Sequence, residues 1–319
     1  MKKKILITGC AGFIGSQFAK KCSKKYYVIG IDNLDNYYSV AYKKMRISEI
    51  KKNKNFKFFK LDIKKQKKLS KLISKHKFSY VFHFAAQAGE RYSKIDPQKY
   101  TNTNIIGTLN LLNVLKNKKI DKIFLASSSS VYGESKKFPL KEFHKLSPIN
   151  VYSFSKKNNE DMAEIYSNLY NMNFVALRFF TVFGEWGRPD MFFLKLLKAI
   201  TNKETFYLNN SGYHFRDFTY VGDVVNILEK LINLKNINKF EVFNVCSNKP
   251  YKLSKIIQSV SKKLGKLKYK NIPINKADVI KTHGDNKKIK QKIKSIKFTK
   301  IEKSISQTIR WYKKYKKLI

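Results

Sequence analysis

The chain opens with a short apolar run, Lys4–Thr8, that ends in glycines and gives way to a stretch from Phe13 to Cys22 with apolar residues at helical spacing. This predicts a strand, a tight turn and a helix. The unit then repeats. Tyr27–Ile31, Phe56–Leu61, Tyr80–Phe84, Ile123–Ala126 and Phe174–Leu177 are apolar runs of strand length, and helix-length segments separate most of them. Strands that are apolar at successive positions suit a sheet covered on both faces, so the pattern predicts an α/β fold with a doubly wound (Rossmann) parallel sheet. From about Phe179 the alternation loosens, and Phe240–Val245 reads as one late strand returning to the sheet. We divide the chain into a first domain, residues 1–179 with the late strand near 240–245, and a smaller C-terminal lobe, mainly 180–319. That lobe, including the tail from Asp278 to Ile319, is expected over the C-terminal ends of the strands. No internal repeat is visible, and no linker is long enough to separate independent domains.

The first turn reads Gly9-Cys10-Ala11-Gly12-Phe13-Ile14-Gly15, a GxxGxxG spacing between strand and helix. The glycines serve a tight turn, close backbone approach to a pyrophosphate, and close packing of helix on strand, with the helix N-terminus toward the phosphates. Asp32, followed by Asn33, closes the second strand about 20 residues later, where a carboxylate can accept both hydroxyls of an adenosine ribose. A 2′-phosphate would be repelled there, so NAD is expected rather than NADP. Asp62 and Ile63 end the third strand, and Phe84-Ala85-Ala86-Gln87 follow the fourth, on the same rim. Glycines alone could merely make a turn that Asp32 caps. Strand, motif, helix and acid in register favour a dinucleotide-binding domain.

Tyr152-Ser-Phe-Ser-Lys156 opens a helix-like segment, and a spacing of four residues puts phenol and ammonium on one face. A phenol with a reference pKa of about 10 is a poor base at neutral pH, and a neighbouring cation favours the phenolate. Ser127–Ser130 follow the fifth strand, so a hydroxyl there can share a proton with the tyrosine and a substrate oxygen. The tyrosine and lysine alone could be coincidence. Their order after the nucleotide motif and the serine run points to hydride transfer.

With 319 residues, 43% of them hydrophobic, the chain can bury a full core. No apolar run approaches the roughly 20 residues of a membrane helix, and the stretch after Lys2–Lys4 is broken by Thr8, Gly9 and Gly12. A mature cytoplasmic protein without membrane partner is expected. Cys10, Cys22 and Cys246 are too scattered for a disulfide framework or a zinc site, so no metal is expected. A net charge of +45 raises a nucleic-acid partner, but the lysines are spread over the whole length with no recognisable nucleic-acid module, and none is expected. Arginine occurs only as Arg46, Arg91, Arg178, Arg188, Arg216 and Arg310. In so lysine-rich a chain, these mark positions that need a planar fork.

The order TGCAGFIG, IDNL, HFAAQAG, SSSSVYG, YSFSK and FRDFTYVGDV resembles the extended short-chain dehydrogenase/reductases, the NAD-dependent epimerase/dehydratase family, over nearly the whole chain. IDNLDNYYS (Ile31–Ser39), AQAGERYS (Ala86–Ser93) and RFFTVFGEWGRPDM (Arg178–Met191) are similar to one branch, the UDP-glucuronate 4-epimerases. The resemblance implies that Ser128, Tyr152 and Lys156 are catalytic, that Thr103 and Phe180 lie near the nicotinamide, and that Arg216 grips the diphosphate of a UDP-sugar substrate. It also implies that Thr181, Ser129 and Ser130 contact the uronate carboxylate, with Arg188 lining the same region. Lys156 would further hold the nicotinamide ribose. Members are usually homodimers built on two long helices, for which Thr101–Lys116 and Tyr152–Tyr170 are the candidates.

Four other readings bear on this one. A 4,6-dehydratase or uronate decarboxylase of the same fold carries an acidic residue just before the VYG tripeptide, where this chain has Ser129-Ser130. A UDP-glucose/galactose 4-epimerase differs mainly in accepting a 6-hydroxymethyl group. A nucleic-acid- or membrane-surface-binding protein on an inactive fold would leave the serine, tyrosine and lysine unexplained. The chain also departs from the family. Glu90 stands where a small apolar residue is expected, and its charge is unfavourable near a uronate unless the adjacent Arg91 neutralises it; a surface glutamate paired with a lysine is the plainer reading. Ala277-Asp278 replaces a glycine-aspartate turn and Lys281 an arginine, which leaves a second diphosphate contact open. Trp311-Tyr312 fits a closing helix and core packing.

Overall fold

The computed structural model describes residues 2–234, 238–274 and 279–316, so Ala277 and Asp278 lie outside the described residues. Seven strands form the central sheet: β1 (Lys4–Thr8), β2 (Tyr27–Asp32), β3 (Phe56–Lys60), β4 (Tyr80–His83), β5 (Lys122–Ser128), β6 (Phe174–Phe179) and β10 (Phe240–Val245). Their order is β3-β2-β1-β4-β5-β6-β10, and every neighbouring pair is parallel. All residues of β4 and β6 are buried, as two-sided cover requires. The late strand thus returns to the sheet, at the edge beside β6.

The helices of this layer are α1 (Phe13–Cys22), α2 (Val40–Lys51), α3 (Gln66–Ser74), α4 (Pro97–Tyr100), α5 (Gly107–Leu115) and α6 (Val151–Tyr170). A wide π-helical segment, Thr101–Ile106, joins α4 to α5, so the helix expected from Thr101 is part of a longer run that starts at Pro97. Asp96 begins that run by accepting from the Lys99 amide at 3.0 Å. One face of the sheet is covered by α1, α2 and α8 (Val221–Ile232), the other by α3, α5 and α6.

The second lobe holds a three-stranded sheet of β7 (Thr181–Phe183), β9 (Phe215–Tyr220) and β11 (Pro250–Lys252), and the pair β8 (Phe206–Asn209) and β12 (Tyr269–Ile272). Helices α7 (Phe192–Thr201), α9 (Leu253–Leu264) and α11 (Ile301–Tyr315) pack on it around Phe183, Trp186 and Trp311. Trp311 and Tyr312 are core residues, as expected. The tail does not stay in this lobe. Ile289 on α10 (Lys287–Lys292), and Ile293 after it, pack with Phe243 and Val245 of β10, because their apolar side chains find cover against the sheet. The lobe and the first layer are thus interleaved in sequence after residue 179.

One buried polar network fastens the C-terminal edge of the sheet. Strand β5 runs two residues further than its apolar pattern indicated, so Ser127 and Ser128 pair with Arg178 and Phe179 inside the ladder rather than following it. Arg178 on β6 meets Glu160 on α6 in a bidentate ion pair, with Nη2 to Oε2 at 2.7 Å and Nε to Oε1 at 3.0 Å. The Ser127 hydroxyl also donates to Glu160. Arg178 Nη1 donates to the Tyr132 hydroxyl and to the Glu142 carbonyl, both at 2.9 Å. Burying either charge alone is expensive. Glu160→Leu should therefore lower the unfolding free energy in urea by about 3–5 kcal/mol, and adding Arg178→Met should recover most of that loss. A single-variant loss below about 1 kcal/mol would show that the pair does not hold this edge.

Candidate active site

Between the strand ends and the second lobe lies a cavity of about 680 Å³. At one end is the glycine turn. Gly9 has φ +71°, and a Cβ there would stand 2.5 Å from the Ala85 amide nitrogen, so only glycine lets the turn pass this close to the end of β4. A Cβ on Gly15 would lie 2.3 Å from the Gly9 carbonyl oxygen. Helix α1 starts at Gly12 with no side chain capping its first amides, a terminus suited to phosphate. Asp32 accepts from the amides of Ala11 at 3.0 Å and Leu34 at 2.8 Å, which fixes its carboxylate at the rim. Asn33 donates to Asp62 at 3.1 Å, and Phe13, Ile14, Ile63, Phe84, Ala85, Ala86, Gln87 and Thr103 also line the cavity. A cradle that side chains would fill, an uncapped helix start and a fixed carboxylate fit a dinucleotide.

At the centre, α6 begins in a capping box. Asn150 accepts from the Ser153 amide at 2.8 Å, and Ser153 accepts from the Asn150 amide at 3.2 Å. This start presents Tyr152 and Lys156 to the cavity. Lys156 Nζ donates to the Ala126 carbonyl at 2.7 Å and lies 5.9 Å from the centre of the Tyr152 ring. Ser128 lines the cavity beside Tyr152, where its hydroxyl helps to pull the phenol pKa down, and it accepts from the Ser130 hydroxyl at 2.9 Å. The three predicted catalytic residues therefore meet.

Burial holds the Tyr152 phenol above its ordinary pKa; the Ser128 hydrogen bond and the Arg188 charge pull it down, and Glu90 pushes it up. Arg188 thus adds a positive charge that favours the phenolate. Burial lowers the Lys156 ammonium to about 8 against the opposing pull of Glu160, and one of its N–H groups is taken by the Ala126 carbonyl.

Ser129, Ser130, Phe180, Thr181, Arg91, Arg188 and Arg216 line the same cavity. Arg188 grips Asp190 through Nε at 3.0 Å and Nη2 at 2.6 Å, and the Tyr37 hydroxyl donates to the same carboxylate at 3.1 Å. Arg216 Nη1 donates to the carbonyls of Phe215 at 3.0 Å and Ile280 at 3.1 Å. Lys281 places its ammonium 4.6 Å from the centre of the Phe138 ring.

Four further residues support the site, of which the sequence marked only Arg46, as a position that needs a planar fork. Arg46 is buried and donates to the carbonyls of Ala11 and Gly187, both at 2.9 Å, so it ties the glycine turn to the loop that carries Arg188. Its rarity as an arginine was the available signal. Asn104 accepts from the Gln87 amide at 2.7 Å and donates to Ser155 at 2.9 Å, joining the end of β4 to α6; it follows Thr101, Asn102 and Thr103, so no local pattern singled it out. His83 bridges Thr8 at 2.7 Å and Thr108 at 2.9 Å, with its pKa pushed down to about 3 by burial. Lys43 lines the cavity and donates to the Asp35 carbonyl, and nothing in its lysine-rich context distinguished it.

A dinucleotide cradle joined to a serine, tyrosine and lysine on a doubly wound sheet defines an extended short-chain dehydrogenase/reductase. The chain belongs to the family whose model is described as GDP-mannose 4,6 dehydratase, which matches residues 6–314. It is 38% identical to Protein CapI of Staphylococcus aureus over 98% of this chain and 99% of that one. It is 36% identical to the UDP-glucuronate 4-epimerase of Thermodesulfobacterium geofontis, covering 98% and 97%. Among solved structures, the UDP-glucuronic acid 4-epimerase of Bacillus cereus with UDP-glucuronic acid and NAD superposes with a TM-score of 0.90 at 29% identity, covering 98% of this chain and 99% of that one.

The electrostatics give a directional prediction. Removing the Arg188 charge leaves burial and Glu90 to raise the phenol further, so the base forms at higher pH. The acid limb of the kcat/KM profile of Arg188→Met should move to higher pH than in the wild type. A limb that stays in place or moves down would take Arg188 out of this role.

Proposed function

We propose that this protein is an NAD-dependent nucleotide-sugar 4-epimerase that interconverts UDP-glucuronate and UDP-galacturonate through a 4-keto sugar. The observation that carries the reading is the meeting of Ser128, Tyr152 and Lys156 beside a cradle fitted to a dinucleotide. The relatives named UDP-glucuronate 4-epimerase support the substrate. NAD, held by the Gly9–Gly15 turn, Asp32 and Lys156, would supply the hydride acceptor and return the hydride. Tyr152 takes the proton from the sugar 4-hydroxyl, relayed through Ser128, and gives it back after the keto sugar has turned over about its phosphate linkage. Arg216 holds the diphosphate while the sugar turns. Ser129, Ser130 and Thr181 offer hydroxyls to the carboxylate, which matters because a 4-keto uronate is a β-keto acid prone to lose carbon dioxide. With serines at 129 and 130, the carboxyl group that dehydratases and decarboxylases place before VYG is replaced by neutral donors.

The test is interconversion of the two uronates followed by NMR without added reductant, beside UDP-glucose. Turnover per KM should favour UDP-glucuronate by at least roughly tenfold, because a 6-hydroxymethyl group leaves buried donors unmatched. Tyr152→Phe should abolish turnover and still release NAD on denaturation. Release of NADP instead would remove the reading of Asp32, and wild-type turnover in the variant would remove Tyr152 as the base.

A homodimer and a cytoplasmic location belong to the same proposal. Phe154, Ile165 and Leu169 stand exposed along α6, with Ile106 exposed on the neighbouring helical run, and a second copy would cover this stripe. Among the described residues no helix is long and apolar enough to cross a membrane. Sedimentation at micromolar concentration should show a dimer, and Leu169→Glu should shift it towards monomer; a wild-type monomer would overturn the assignment.

A further inference from the structure

We propose that Tyr100 is a positioning residue, whose buried ring packs edge-on with that of Tyr152 and holds the phenol in place relative to the cofactor end of the cavity. The inference rests on the proposed 4-epimerase reaction, in which Tyr152 exchanges the proton, but not on which sugar is the best substrate.

Tyr100 is the last residue of α4 and has no contact with water. Its ring centre lies 6.2 Å from that of Tyr152, with the two planes at 80°. Its hydroxyl fixes where the ring stands. The one O–H is shared between the carbonyls of Ala88 at 2.9 Å and Gly89 at 2.5 Å, in the segment that follows β4 and lines the cavity. A further ring, that of Tyr92, packs on Tyr100 with centres 6.4 Å apart.

The main chain of Tyr152 is anchored to the same segment by another route. Asn104, one turn along the helical run from Tyr100, accepts from the Gln87 amide at 2.7 Å and donates to the Gln87 carbonyl at 3.0 Å. It also donates to the Ser155 hydroxyl at 2.9 Å, which in turn donates to the Tyr152 carbonyl at 2.7 Å. The wide π-helical segment runs through this stretch, a geometry frequent at functional sites. Anchoring the main chain leaves the direction of the Tyr152 side chain to be set by what its ring packs against. Tyr152 is half-buried and opens onto the cavity, so the contact with Tyr100 is what resists rotation of the phenol out of line. Tyr100 itself does not line the cavity, so it touches neither sugar nor cofactor, and its loss should act on the rate rather than on binding.

The test measures kcat and KM of the NAD-loaded full chain for the wild type, Tyr100→Phe, Tyr100→Leu and Tyr100→Met. The substrate is whichever of UDP-glucuronate and UDP-glucose the wild type turns over, and kcat is expressed per bound NAD so that unfolded chain is not counted. The Phe variant gives up the carbonyl bonds and keeps the ring, whereas Leu and Met give up both. Phe should retain at least about a third of the wild-type kcat, Leu and Met should fall about tenfold to a hundredfold below Phe, and KM should stay within about twofold throughout. A kcat in Leu and Met equal to that of Phe overturns the proposal and assigns any loss to the carbonyl bonds. A loss carried by KM overturns it as well, because it marks a distorted binding site. If the wild type turns over neither sugar, the 4-epimerase reading falls and this role falls with it; an active wild type with an unaffected Leu variant removes the role of Tyr100 alone.

Discussion

The site depends on one buried ion pair. Glu160 and Arg178 have almost no contact with water, and each exists as a charge inside the protein only because the other is there. Their bond joins α6 to β6, and the Ser127 hydroxyl adds β5 to the same carboxylate. Two of the partners lie within a few residues of groups proposed as catalytic: Glu160 is one helical turn after Lys156, and Ser127 immediately precedes Ser128. The geometry of serine, tyrosine and lysine is therefore set from behind, by a contact the substrate never touches. Tyr132 extends the fastening to β10 by donating to Asn244 at 2.7 Å, so the late strand is locked to the same node.

A second buried cation does for the two ends of the cavity what Arg178 does for its centre. Arg46 reaches from α2 to the carbonyls of Ala11, in the glycine turn, and of Trp186 and Gly187, just before Arg188. Trp186 has φ +60°, a conformation costing a bulky residue about 1–2 kcal/mol. It is held there by Arg46 and by stacking on Tyr42 at 5.6 Å. Lysine could not replace this arginine, because a single ammonium cannot serve carbonyls on two separate loops and lie over the Tyr42 ring at 4.4 Å.

The parts of this architecture that were legible in the sequence are those set by local pattern. Successive apolar runs gave the strands of the sheet, and glycines in register with Asp32 marked the cofactor end. Three kinds of feature were not legible. Polar residues can finish a strand when their partners are charged and buried, so the apolar pattern ended β5 before Ser127 and Ser128. The return of α10 to the sheet rests on Ile289 and Ile293, an amount of apolar surface too small to announce where it docks. The roles of Arg46, Asn104 and His83 come from partners distant in the chain, such as Gly187, Ser155 and Thr8, and no local periodicity records those meetings.

Charge inside the cavity is balanced rather than simply supplied. Burial alone would keep Tyr152 protonated, and Arg188 and Ser128 oppose burial while Glu90 reinforces it. Arg188 is itself held by Asp190, and Asp190 by the Tyr37 hydroxyl. Tyr37 belongs to the loop that follows β2, the loop opened by Asp32 and tied down where Lys99 meets Asp35 at 3.0 Å. A loop that closes over the cofactor end thus also orients the cation that favours the phenolate at the reacting end. The same Tyr37 hydroxyl packs against Gly89, the residue that sets the direction of Glu90. One side chain from the cofactor loop consequently touches the supports of both charges that compete for Tyr152. This explains physically why a chain so rich in lysine keeps arginine, tyrosine and glycine at these positions: fixed direction, not charge, is what the site requires.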